Sequence, residues 1–188
     1  MYKVIMFDFF GVINSSLYDA WLHHHGHRRS GKFADISNSV DAGIISMQDF
    51  FDSLETMSGI PSNDIKAEFK TLSTINKPLV ELIKSLKEKY KIVLLSNASG
   101  SYLRNLLRQH NLEPLFDVVV ISGEIGLIKP GREIFEYALK EAGASHQSAI
   151  FIDDHKFNVD AAENYGIKSV LYRDVEQLKS DFRRLGVI

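Results

Sequence analysis

The stretch Val4-Ile5-Met6-Phe7-Asp8-Phe9-Phe10-Gly11-Val12 decides the fold. It is an apolar strand pattern that ends on a lone carboxylate, with a glycine close behind. The strand delivers Asp8 to its C-terminal tip. Ligands of open parallel sheets bind at that edge, and Gly11 lets the backbone turn close to whatever is bound. Taken by itself, Asp8 fits a turn or a helix cap equally well, so its meaning depends on what the rest of the chain brings to the same edge.

From about residue 78 onward, short apolar runs rich in β-branched residues alternate with segments of helical period. Strands are predicted at 91–95, 116–121, 149–152 and 168–171, with a first strand at 3–9. Leu103, Leu106 and Leu107 keep helical spacing, as do Ile134, Phe135, Ala138 and Leu139, so helices can cover both faces of the sheet. The expected fold class is α/β, a doubly wound parallel sheet. Between the first strand and the next lies a long helical stretch, in which Leu17, Trp21 and Leu22, then Phe50, Phe51 and Leu54, then Ile65 and Phe69 recur at helix-like intervals. We read residues 15–77 as a small inserted helical cap and residues 1–14 with 78–188 as the core domain. Ser62-Asn63-Asp64 and Asn76-Lys77-Pro78 read as helix starts, because short polar side chains accept free N–H groups and proline suits a first turn.

Three later segments converge on the chemistry of Asp8. The run 92–95 ends in Ser96-Asn97, a hydroxyl and an amide suited to holding an oxyanion. Gly126-Leu127-Ile128-Lys129-Pro130 places one lysine ahead of a helix, where it could neutralise a bound anion. Ile150-Phe151-Ile152 runs straight into Asp153-Asp154, with Asn158 four residues beyond Asp154. Two adjacent carboxylates after a buried strand are costly unless a cation or hydrogen-bond donors satisfy them.

In this order and spacing the four segments resemble the haloacid dehalogenase superfamily of hydrolases, and the resemblance covers essentially the whole chain. It implies a Rossmann-like core in which Asp8 is the nucleophile that forms an aspartyl intermediate. It further implies that Ser96, Asn97 and Lys129 hold the transferring group. A Mg²⁺ ion would be bound by Asp8, Asp154 and the backbone carbonyl of Phe10, with Asp153 and Asn158 in support. The chemistry is coherent: a carboxylate is already ionised at neutral pH, and a metal offsets its repulsion from an anionic substrate.

One position departs from the pattern. Phosphatases of this superfamily carry a second Asp two residues after the nucleophile, and here that residue is Phe10. General acid–base catalysis typically contributes roughly 10²- to 10⁴-fold, so its absence matters for poor leaving groups. Four accounts stand open: a Mg²⁺-dependent phosphatase of small metabolites with good leaving groups, a relative of the 2-haloacid dehalogenases, a phosphatase in which His155 supplies the proton, and a non-catalytic anion-binding or regulatory relative.

Composition narrows the setting. With 188 residues, 45% hydrophobic and 24% charged, the chain has the make-up of an ordinary globular domain. No run approaches the ~20 apolar residues of a membrane span, and the first residues lack the apolar length of a signal peptide. No membrane association is expected. The absence of cysteine rules out thiolate chemistry and fits a cytoplasmic setting. A net charge of −2 offers no broad attraction to nucleic acid, which leaves a small molecule as the expected partner, and the resemblance implies that it is phosphorylated. The run His23-His24-His25-Gly26-His27-Arg28-Arg29 reads as a solvated cap segment, from which Arg28 or Arg29 could hold a remote anionic group. Met47, Phe50, Phe51 and Leu54 read as cap core.

Overall fold

The computed structural model describes all residues 1–188. Five parallel strands, β1 (Val4–Phe7), β2 (Lys91–Ser96), β3 (Val118–Ile121), β4 (Ala149–Asp153) and β5 (Lys168–Leu171), form one sheet in the order β3-β2-β1-β4-β5. The chain steps from β1 outward to β3, then returns to the other side of β1 for β4 and β5. A crevice therefore opens at the C-terminal end of β1, where strands leave in opposite directions, and this is where ligands of doubly wound sheets bind.

Side-chain alternation explains why the central strands are apolar throughout. Ile5, Phe7, Ile92, Leu94, Ile150 and Ile152 pack into one layer, while Val4, Met6, Val93, Leu95, Ala149 and Phe151 pack into the other. Both faces are buried, as a parallel sheet covered by helices requires. Truncating one of these residues, such as Leu94→Ala, is worth about 2–5 kcal/mol.

Ten helices complete the fold: α1 (Leu17–His24), α2 (Lys32–Asp41), α3 (Met47–Ser58), α4 (Ser62–Leu72), α5 (Lys77–Leu86), α6 (Gly100–Gln109), α7 (Ser122–Ile125), α8 (Arg132–Ala142), α9 (Lys156–Asn164) and α10 (Val175–Arg184). Helices α1 to α4 lie between β1 and the sheet-packing α5, and they own a separate apolar cluster that includes Trp21, Leu22, Phe50, Phe51, Leu54, Ile65 and Phe69. Phe10 and Tyr102 touch both this cluster and the sheet's core, so they stand at the seam.

Local expectations divide. Asn76 caps α5 as read, accepting from the Leu79 N–H at 3.2 Å with proline in the first turn. Helix α4 starts at Ser62 as read, but Ser62 does not cap it: Pro61 holds the cap position, and the Ser62 N–H is taken by the Glu55 carboxylate at 2.8 Å. The strand expected at 116–121 begins only at Val118, because residues Glu113–Leu115 form a 3₁₀ turn that delays it. No helix is long and apolar enough to cross a membrane.

Candidate active site

Asp8 is the first residue past β1. Its N–H still bonds the Ile152 carbonyl of β4 at 2.9 Å, which fixes the backbone, and its Oδ1 accepts from the Phe9 N–H at 2.7 Å. The same Oδ1 lies 3.0 Å from Lys129 Nζ, and that ammonium lies 2.6 Å from Asp153 Oδ2. All three side chains are buried.

The loop that carries Lys129 is clamped by Asn97. The Lys129 N–H donates to Asn97 Oδ1 and Asn97 Nδ2 donates to the Lys129 carbonyl, both at 2.8 Å. An amide at the end of β2 thereby sets the position of the ammonium at the end of β1. Asp153 is held from every side: Oδ1 accepts from the His155 N–H at 2.7 Å and from Asn158 Nδ2 at 3.1 Å, and Asn158 also reaches Oδ2 at 3.0 Å. Its carboxylate is spent on orienting Lys129, with Asn158 as its brace.

Asp154 is different. Its Oδ1 is buried and receives no hydrogen bond. The backbone of Gly11, at φ +85°, passes so close that an added Cβ would fall 2.1 Å from Asp154 Oδ2. Glycine is needed there both for the conformation and for the space. One carboxylate oxygen each from Asp8, Asp153 and Asp154 lies within 4.8 Å of the others. Burial pushes the Asp8 carboxyl well above the usual range; Lys129 opposes this, while Asp153 and Asp154 add to it. Burial likewise raises Asp154, against the pull of His155 and with the push of Asp153. For Lys129, burial favours the neutral amine, but Asp153 and Asp8 more than offset it and the ammonium is stabilised.

The Ser96 hydroxyl is fully buried and also lacks a partner. Phe10 is half-buried, edge-on to Phe9 at 5.0 Å and stacked with Tyr102 at 6.4 Å. Above these groups lies a cavity of ≈ 250 Å³. Asp8, Phe10, Asn97, Lys129, His155 and Asn158 line its floor, and the helical insertion adds Leu17, Tyr18, Asp19, Arg29, Ser37, Asn38, Asp41, Met47, Phe50 and Phe69. Of the groups expected at the site, Ser96, Asp153 and Asp154 lie behind this lining. Met47 and Phe50, read as cap core alone, also face the cavity, whereas Phe51 and Leu54 remain interior. Arg29 reaches the cavity and Arg28 does not.

Sequence reading missed Tyr18, Asp19, Ser37, Asp41, Tyr102 and Phe157 as cavity residues. One of them carried a faint signal. Asp41 is the last residue of α2, and an anion at a helix C-terminus opposes the helix dipole, so its presence there asks for another reason.

A buried lysine thus lies between two strand-end carboxylates, beside a third carboxylate with a free buried oxygen, on a Rossmann-like core. Residues 38–172 match the haloacid dehalogenase-like hydrolase family, and the chain belongs to that family. The matched region holds Ser96, Lys129, Asp153 and Asp154, and Asp8 precedes it. The chain is 27% identical over 149 residues to sesquiterpene phosphatase astK of Aspergillus oryzae, covering 77% of this chain and 76% of that protein. It is 30% identical over 101 residues to pyrimidine 5'-nucleotidase YjjG of Escherichia coli, covering 52% of this chain and 45% of that one, so it spans less than half of the nucleotidase. A HAD family enzyme from Bacteroides thetaiotaomicron, solved with magnesium and inorganic phosphate, superposes with a TM-score of 0.74 at 22% identity, over 95% of this chain and 99% of that one. At that identity the likeness is one of fold.

Proposed function

We propose that this chain is a Mg²⁺-dependent phosphomonoesterase that works through Asp8. The observation that carries the reading is a charge imbalance. Three carboxylates, Asp8, Asp153 and Asp154, share one buried ammonium, which leaves the ionised cluster two negative charges in excess. Buried charge of that size is costly unless compensated, and a hard divalent cation is the compensation that oxygen ligands take.

The residues suit the ion. Asp154 Oδ1 is a buried acceptor with nothing to accept from, and Gly11 leaves the space beside it clear of a side chain. Asp8, Asp154 and the Phe10 carbonyl are the groups we assign to it. When bound, Mg²⁺ supplies electrostatic stabilisation of phosphoryl oxygens. The chain does the rest. The Asp8 carboxylate attacks phosphorus, Lys129 stays fixed by Asp153 and Asn97 to balance charge on the phosphoryl oxygens, and the partnerless Ser96 hydroxyl is the further donor assigned to them.

Residues 15–77 act in this reading as the cap that selects the substrate, and the reaction belongs in the cytoplasm. Aromatic rings from Phe10, Tyr18, Phe50, Phe69, Tyr102 and Phe157 face the cavity, so the phosphorylated small molecule it suits has an apolar organic portion. Phe157 is largely exposed at this lining and would be covered by such a substrate. The similarity to a sesquiterpene phosphatase supports this class. The test is a hydrolysis screen of phosphomonoesters with graded apolar groups, with 2-haloacids alongside, each with and without Mg²⁺. Metal-dependent release of phosphate is expected. Metal-independent dehalogenation, or no turnover of any compound, would overturn the proposal.

A further inference from the structure

We propose that Asp41, carried by the helical insertion, is the catalytic acid and base that serves the leaving-group oxygen in place of Phe10. The inference rests on Asp8 being the nucleophile. Its first support is position: Asp41 opens onto the same cavity as Asp8 and Lys129.

That position is held from the sheet edge. The Ser122 hydroxyl donates to the Asp41 carbonyl and accepts from the Ala98 N–H at 2.9 Å, and Ala98 is two residues past Ser96. Beside it, Gly43 passes so close to the core that an added Cβ would lie 2.5 Å from the Gly123 carbonyl oxygen. The end of α2 is thus seated on α7, which is itself tied to the loop after β2.

The second support is the poor engagement of the carboxylate itself. Its nearest donor is the Ser37 hydroxyl at 3.5 Å, and that hydroxyl is turned by Arg29 Nη2 at 2.7 Å. Arg29 pairs with Asp19 at 3.6 Å rather than with Asp41. Asp41 also faces Lys129 across the cavity, while Glu124, on the α7 turn beneath it, is taken up by Arg104 at 2.9 Å. Asp41 lines the cavity, and burial pushes its carboxyl up to about 6, with Arg29, Ser37 and Lys129 pulling the other way and Asp19 adding slightly. A carboxyl of that strength can both give and take a proton near neutral pH.

Other cavity groups serve less well. Asp19 is engaged by Arg29 and by the Ser16 hydroxyl at 2.9 Å. Tyr18 donates to the Phe33 carbonyl at 2.7 Å, and burial makes its phenol a still weaker acid. His155 sits on the Asp154 side, with Nε2 3.9 Å from Asp154 Oδ2.

The chemistry balances. Asp8 forms a bond to phosphorus as the phosphorus–oxygen bond to the organic group breaks, and the departing oxygen takes the proton of Asp41 to leave as an alcohol. Water then attacks the aspartyl phosphate and gives its proton to Asp41. The bond to Asp8 breaks, phosphate leaves, and both carboxyls are restored.

The test compares kcat/KM for an alkyl phosphate and for p-nitrophenyl phosphate, with Mg²⁺, in the native protein, Asp41→Asn and Asp8→Asn. Asp8→Asn is expected to abolish both reactions. Asp41→Asn should lower the alkyl reaction by roughly 10²- to 10⁴-fold and the nitrophenyl reaction much less. In the native protein the alkyl-to-nitrophenyl ratio should fall as pH rises through about 6, and the variant should lose that dependence. Adding Phe10→Asp to Asp41→Asn should restore at least part of the alkyl rate. Equal losses on both esters, or no loss, overturn the inference and leave the role of Asp8 standing. No turnover by the native protein overturns both. Should Asp41→Asn not fold, a native alkyl-to-nitrophenyl ratio that is flat with pH is itself sufficient to overturn it.

Discussion

Lys129 and Asp153 lie 2.6 Å apart in the floor of the site and are essentially without solvent exposure, while Arg29 and Asp19 in its roof lie 3.6 Å apart with about a third of each side chain exposed (34% and 37%). In the floor Asp8, Asp153, Asn97 and Asn158 fix one ammonium between strand ends, and only Ser96 Oγ and Asp154 Oδ1 are left without a partner. The roof leaves the Asp41 carboxylate with a single long hydrogen bond, in a cavity whose lining includes several aromatic rings. In the proposed reaction, a buried ammonium held by paired carboxylates suits a phosphoryl group that is the same in every substrate. A loosely paired carboxyl suits a proton that must move.

The sharpest way to break this contrast is to remove the cation from the floor. Lys129→Met leaves Asp8 and Asp153 buried without their cation, and a broken buried pair costs about 3–5 kcal/mol. Denaturant unfolding should show a loss of this size together with loss of turnover. A loss below about 1 kcal/mol would mean that water already reaches the cluster.

Next in size is the unpaired oxygen of Asp154. Asp154→Asn should weaken Mg²⁺ binding by at least roughly tenfold, ~1.4 kcal/mol, as read by calorimetry. Gly11→Ala should do the same from the backbone side, because its new methyl group would displace the Asp154 carboxylate. Unchanged Mg²⁺ affinity in both variants would take the metal away from Asp154.

Asp8, Ser96 and the Asp153-Asp154 pair were legible in the sequence because each closes or follows an apolar strand, and the period of the strands is easy to read. Lys129 was legible as a lysine placed ahead of a helix. What lies beyond one residue's reach was harder. Asn97 reads as an anion donor, yet both ends of its amide are folded onto the Lys129 backbone, a contact across 32 residues. The roof was least legible. Its helices were readable from Trp21, Phe50 and Phe69, but whether Met47 or Phe51 faces the cavity depends on how four helices are rotated against one another. Asp41 reaches the site only because Ser122 and Gly43 seat α2 on the core, and no spacing announces that.

The smallest effect sharpens the contrast through stability. The ordinary carboxylate value of 3.8 is raised to about 6 for Asp41 in the fold. A group whose folded value lies above its unfolded one makes the fold lose stability as pH rises from about 4 through about 6, and that cost is fully present above 6. Allowing for the side chain's exposure to the cavity, it is worth about 1–2 kcal/mol. Asp41→Asn should therefore melt higher than the native protein at pH 8 and match it near pH 4. A variant less stable at both pH values would show Asp41 to be a structural residue.

The proposed reaction turns on Asp8. Native protein mixed with a phosphomonoester and Mg²⁺, quenched in acid within the turnover time and digested, should yield the peptide containing Asp8 heavier by one phosphoryl group. That label should be lost in mild alkali and absent from Asp8→Asn. Phosphate release with no label on that peptide, or a label on any other residue, would contradict the account.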